Sequence, residues 1–74
     1  MAKMITNKAR PVALFESNIG RYTLRSDGSI LRQLRIDGKL EHATIVAHVK
    51  EGKDEHKAFE RYNVRMGGKG VTRL

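Results

Sequence analysis

Cysteine and tryptophan are missing altogether, and proline occurs once, at Pro11. Without cysteine there is no disulfide framework, no thiolate nucleophile and no Cys-based zinc site. The chain therefore has no covalent staple and needs a compact core or a partner. Aromatic residues are scarce: Phe15, Tyr22, Phe59 and Tyr62 are the whole set. No apolar run approaches the roughly 20 residues of a membrane span. Val12-Ala13-Leu14-Phe15, behind Lys3, Lys8 and Arg10, is too short for a signal-peptide core. These absences lead to the expectation of an intracellular, cytoplasmic protein that does not engage membranes. Acidic residues are the minority charge, eight against fifteen Lys and Arg, which leaves +7 on 74 residues. A chain of this length makes one domain and buries only about 60% of its unfolded surface. A multi-residue catalytic site with its own supporting shell is hard to house in it.

The pattern predicts an α+β fold: a small antiparallel β-meander of three to four strands, one C-terminal α-helix and flexible basic termini. Met1–Arg10 lacks periodicity and reads as a mobile basic arm. The single domain spans residues 11–66. Val12-Ala13-Leu14-Phe15-Glu16 forms a first strand, and Ser17-Asn18-Ile19-Gly20 supplies turn residues. Arg21–Arg25 and Ile30–Ile36 flank Ser26-Asp27-Gly28-Ser29, a hairpin signal. A two-residue Asp27-Gly28 loop would scatter the apolar residues over both faces. A three-residue loop, with Gly28 in the left-handed position, pairs Leu24 with Ile30 and Tyr22 with Arg32. Tyr22, Leu24, Ile30, Leu34 and Ile36 then share one face, interrupted by Arg32. Arg21, Thr23, Arg25, Leu31, Gln33 and Arg35 share the other. The second register segregates apolar from basic residues and is preferred, because a slip of one residue inverts the faces.

Asp37-Gly38 marks another tight hairpin. Leu40–Val49 reads as a strand, with a helix as the alternative. Asp54–Met66 reads as a helix capped by Asp54, with Ala58, Phe59, Tyr62 and Met66 as its apolar stripe and Gly67-Gly68 as its stop. Residues 67–74 read as a flexible, Gly-rich basic tail.

Arg21, Arg25 and Arg35 are the leading binding candidates, with Arg32 close by on the opposite face and Lys39, Lys50 and Lys53 extending the field. Lys8 and Arg10 add charge from the arm. Guanidinium groups match phosphate and carboxylate bidentately, and a concentrated basic face suits a nucleic-acid backbone or an acidic protein surface. The bland alternative is an ordinary solvated sheet face. His42, His48 and His56 show no metal-ligand spacing. Gly67-Gly68-Lys69-Gly70-Val71-Thr72 lacks the spacing of a phosphate loop and follows a helix instead of opening one. Ser17, Ser26, Ser29, Asp27 and Asp37 sit in turns. The expectation is a non-enzyme with no metal, no cofactor and no small-molecule substrate.

In length, charge and hairpin-plus-helix outline, the whole chain resembles the very small phage-encoded proteins that bind host RNA polymerase and inhibit initiation or promote antitermination. The resemblance is one of type and assigns no residue a role. It implies a non-catalytic regulator that docks on RNA polymerase or its nucleic-acid complex in the host cytoplasm. The alternatives are direct, sequence-tolerant DNA or RNA binding, and a ribosome-associated accessory role. The shortage of aromatics suited to base stacking favours duplex over single strand in the direct-binding case.

Overall fold

The computed structural model describes residues 9–50 and 53–74. It contains β1 (Pro11–Glu16), β2 (Gly20–Arg25), β3 (Ser29–Ile36), β4 (Lys39–Leu40), β5 (Thr44–His48), α1 (Glu55–Arg65) and β6 (Thr72–Arg73). All strand pairings are antiparallel, in the order β4-β3-β2-β1-β6, with β5 also on β3. The chain is thus an α+β meander with one C-terminal helix. Its strands number six, more than the three to four expected. The excess has two sources. The predicted 40–49 strand is broken at residues 41–43, so that β4 and β5 follow one another along the same edge of β3. The tail supplies the sixth.

The β2–β3 register is the segregating one, with Leu24 opposite Ile30 and Tyr22 opposite Arg32. Gly28 closes the loop at φ +87°, donating its N–H to the Arg25 carbonyl at 2.9 Å. A side chain disfavours that conformation, which is why glycine stands there. Asp27 accepts from both the N–H and the hydroxyl of Ser29. Gly20 answers the same need and a second one: its φ of +158° is also one that side chains disfavour, and a Cβ there would run into the Gln33 carbonyl and the Leu34 Cα.

Alternation along the strands puts Ala13, Phe15, Tyr22, Leu24 and Ile30 on the face that Phe59 of α1 covers, and all six are buried. The four aromatics form one cluster. Phe15 stacks on Tyr22 with centroids 4.8 Å apart and packs against Phe59 at 5.0 Å, while Tyr62 meets Tyr22 edge-on at 5.6 Å. Concentrating the scarce aromatics in this cluster gives a small core its largest apolar contribution. The helix starts where Asp54 Oδ1 accepts from the Lys57 N–H at 3.1 Å, and Gly67 and Gly68 close its end onto Val64 and Asn63.

The described part of each terminus is hydrogen-bonded to the sheet. The 67–74 segment, expected as a flexible tail, lies along β1. The Lys69 N–H donates to the Glu16 carbonyl at 2.9 Å, that of Gly70 to Asn63 Oδ1 at 3.2 Å, and that of Leu74 to the Val12 carbonyl at 3.0 Å. The physical reason is that β1 would otherwise be an open edge with unsatisfied backbone groups, and the tail pairs with it as β6. Most of the predicted arm, including Lys8, lies outside the described residues. Its last two residues are held: the Ala9 carbonyl accepts from Arg25, and Arg10 exchanges hydrogen bonds with Ser26.

Candidate nucleic-acid interface

The arginines read from the sequence as a single basic face do lie on one side of the sheet, opposite α1. Arg21 and Arg25 border a shallow depression of about 290 Å³ with Leu14, Thr23, Leu31, Gln33 and Leu74. Their charge, however, is already engaged. Arg21 Nε donates to Glu16 Oε2 at 2.6 Å, and an Arg35 terminal nitrogen donates to Glu16 Oε1 at 2.7 Å. Partial burial works to raise the Glu16 carboxyl, but the hydrogen bonds and charges of Arg21 and Arg35 outweigh it and hold the group below its ordinary range. Arg25 is only 8% exposed and donates to the Ala9 carbonyl at 2.9 Å. It ties the start of the described chain to the sheet and is not presented to a partner.

Arg32 is half-buried on the helix side, opposite Tyr22 and Thr44. Its charge acts on Tyr62, whose hydroxyl is nevertheless raised, first by burial and then by Tyr22. Lys39 and Arg10 are exposed at separate places, the first in β4 and the second beside the β2–β3 loop. The predicted set is therefore dispersed, with one exception. Lys50 and Lys53 line a groove between β5 and α1.

That groove is a concavity of about 670 Å³. Ile30, Ala47, Val49, Ala58 and Tyr62 supply apolar lining. Lys50 and Lys53 stand where the chain leaves β5 and enters α1. Lys57, Arg61 and Arg65 project from the helix, and His48 and Asp54 complete the lining. The helical three recur every fourth residue, so they fall along one side of α1 at about 6 Å intervals. Among the described residues, five cations thus face one carboxylate, and Asp54 already accepts the Lys57 N–H, which holds its carboxyl below the ordinary range. None of the five makes an ion pair with another described residue. Sequence reasoning did not count Lys57, Arg61 and Arg65 among the binding candidates, although their four-residue spacing was a readable signal. Only the packing of α1 beside β5 adds Lys50 and Lys53 to them.

The histidines do not converge, and among the described residues no three His, Asp or Glu side chains form a metal-binding group. No described helix is long and apolar enough to cross a membrane. Comparison with protein-family models, curated protein sequences and solved structures returned no match.

Proposed function

We propose that this protein is a non-catalytic binding module that grips the phosphate backbone of a nucleic acid, without reading its sequence, through the β5–α1 groove. The observation that carries this reading is the contrast between two basic regions. Of the sheet-face arginines, Arg21 and Arg35 share the one carboxylate of Glu16 and Arg25 is buried, whereas Lys50, Lys53, Lys57, Arg61 and Arg65 surround a concavity with no ion pair among the described residues. Cations without an internal partner can neutralise phosphates without first giving up an ion pair, and the counterions this releases from the nucleic acid are the main source of sequence-tolerant affinity. Acting in the cytoplasm, such a module would regulate a transcription complex by holding its nucleic acid.

A second reading has the protein dock on RNA polymerase itself, or on a ribosome, through the sheet face opposite α1. Leu14 and Leu31 are half-buried there, and Ile45 is 43% exposed. Pull-down from lysate with and without nuclease separates the two readings. Retention of partners only without nuclease supports nucleic-acid binding. Retention of polymerase or ribosomal proteins after nuclease supports direct docking.

A further inference from the structure

We infer that the ligand of the β5–α1 groove is a single nucleic-acid strand, not a duplex; this rests on the nucleic-acid reading above and specifies its substrate class. The cations border a depression. A duplex accepts protruding elements into a major groove about 12 Å wide, and it contacts a concave site only at the rims. An open groove of about 670 Å³ is of the size of a small-ligand site, with room for a short run of one strand. The lining has the division of labour that single strands need. Lys57, Arg61 and Arg65 follow one wall over about 12 Å of helix and can track successive phosphates. Ala47, Val49 and Ala58, all partly exposed, offer apolar surface for the faces of unstacked bases.

Tyr62 is the one aromatic that reaches the groove. Its other contacts are with Tyr22 and Phe15 in the core cluster, so it is braced from behind. This reverses the expectation drawn from the scarcity of aromatics, because an apolar floor and one braced ring serve a short segment. The remaining described face of α1 does not suit insertion into a duplex groove. It carries Glu60 and the exposed Val64.

The test is fluorescence anisotropy of the full chain with a labelled ten-nucleotide strand of mixed sequence, and with the same sequence as a duplex, in low salt. The single strand is expected to bind at least tenfold more tightly than the duplex. Arg61→Gln and Lys57→Gln, each checked for an unchanged circular dichroism melt, are expected to weaken it several-fold. Equal or tighter duplex binding overturns the inference and leaves the nucleic-acid reading standing. Binding of neither probe overturns both. Displacement of the strand by polyglutamate at equal charge concentration also overturns the inference and makes the groove an acidic-peptide site.

Discussion

Arg21 donates from Nε to Glu16 Oε2 at 2.6 Å across the β1–β2 hairpin. That contact decides what the sheet face can do. A guanidinium that composition alone offers to a partner is committed to an internal carboxylate, whose other oxygen engages Arg35. Charge count and available charge are therefore different quantities here, and they separate at Glu16.

Replacing Glu16 by Gln breaks both ion pairs at once. The side chains concerned are 33–39% exposed, and exposed pairs contribute about 0–1 kcal/mol each. The expected result is a modest fall in melting temperature together with an unchanged or slightly higher affinity for nucleic acid. A large loss of affinity would place the ligand on the sheet face after all.

Arg25→Glu exchanges a buried donor for a carboxylate beside the Ala9 carbonyl. Losing a hydrogen bond from a charged group costs about 1.5–3 kcal/mol, and the new charge is buried as well. Denaturant melts are expected to show destabilisation of at least that size. A fully stable variant would mean that Arg25 is a surface residue.

Phe59 is fully buried, with its ring 5.0 Å from that of Phe15. Truncation to Ala is expected to cost about 3–5 kcal/mol, comparable to the whole stability available to so small an unstapled domain. Circular dichroism should show loss of the cooperative transition. A melt close to wild type would separate α1 from the core.

Glu16, Asp27 and Asp54 all titrate below their ordinary values of 4.5, 3.8 and 3.8. For Asp27 the leading cause is the Ser29 hydroxyl, followed by the Ser29 N–H. A depressed folded-state value means that each group adds stability above its unfolded pKa and loses that contribution as pH falls through the folded one. The melting temperature is expected to stay nearly flat between about pH 7 and 5 and to decline below about pH 4.5. Asp27→Asn should flatten part of the decline, and an acid limb identical to wild type would contradict the Ser29 contacts.

The hairpin was legible because its information is local. Period-two alternation in Arg21–Ile36 allows one register that sorts apolar from basic side chains, and Gly28 marks the loop that produces it. The helix was legible for the same reason, with Asp54 at one end and Gly67-Gly68 at the other. What was not legible depends on neighbours distant in sequence. Nothing within 29–36 says that Arg35 will meet Glu16, since that needs β1 to pair beside β2. Nor does residue order say that the 67–74 segment will complete the free edge of β1. The groove is the same kind of case. Lys57, Arg61 and Arg65 are a readable stripe, but Lys50 and Lys53 join them only because β5 lies on β3 while α1 crosses the sheet nearby.

The central claim is that available charge resides in the groove and not on the sheet face. It is tested most directly by comparing Lys57→Gln/Arg61→Gln with Arg21→Gln/Arg35→Gln for affinity to a labelled single strand over a salt titration. The groove pair is expected to lose affinity by tenfold or more and to lower the magnitude of the log–log salt slope by about 1.4, or about 0.7 for each lost phosphate contact. The sheet-face pair is expected to match wild type in both. The opposite outcome, with binding lost in Arg21→Gln/Arg35→Gln and kept in Lys57→Gln/Arg61→Gln, would contradict the account.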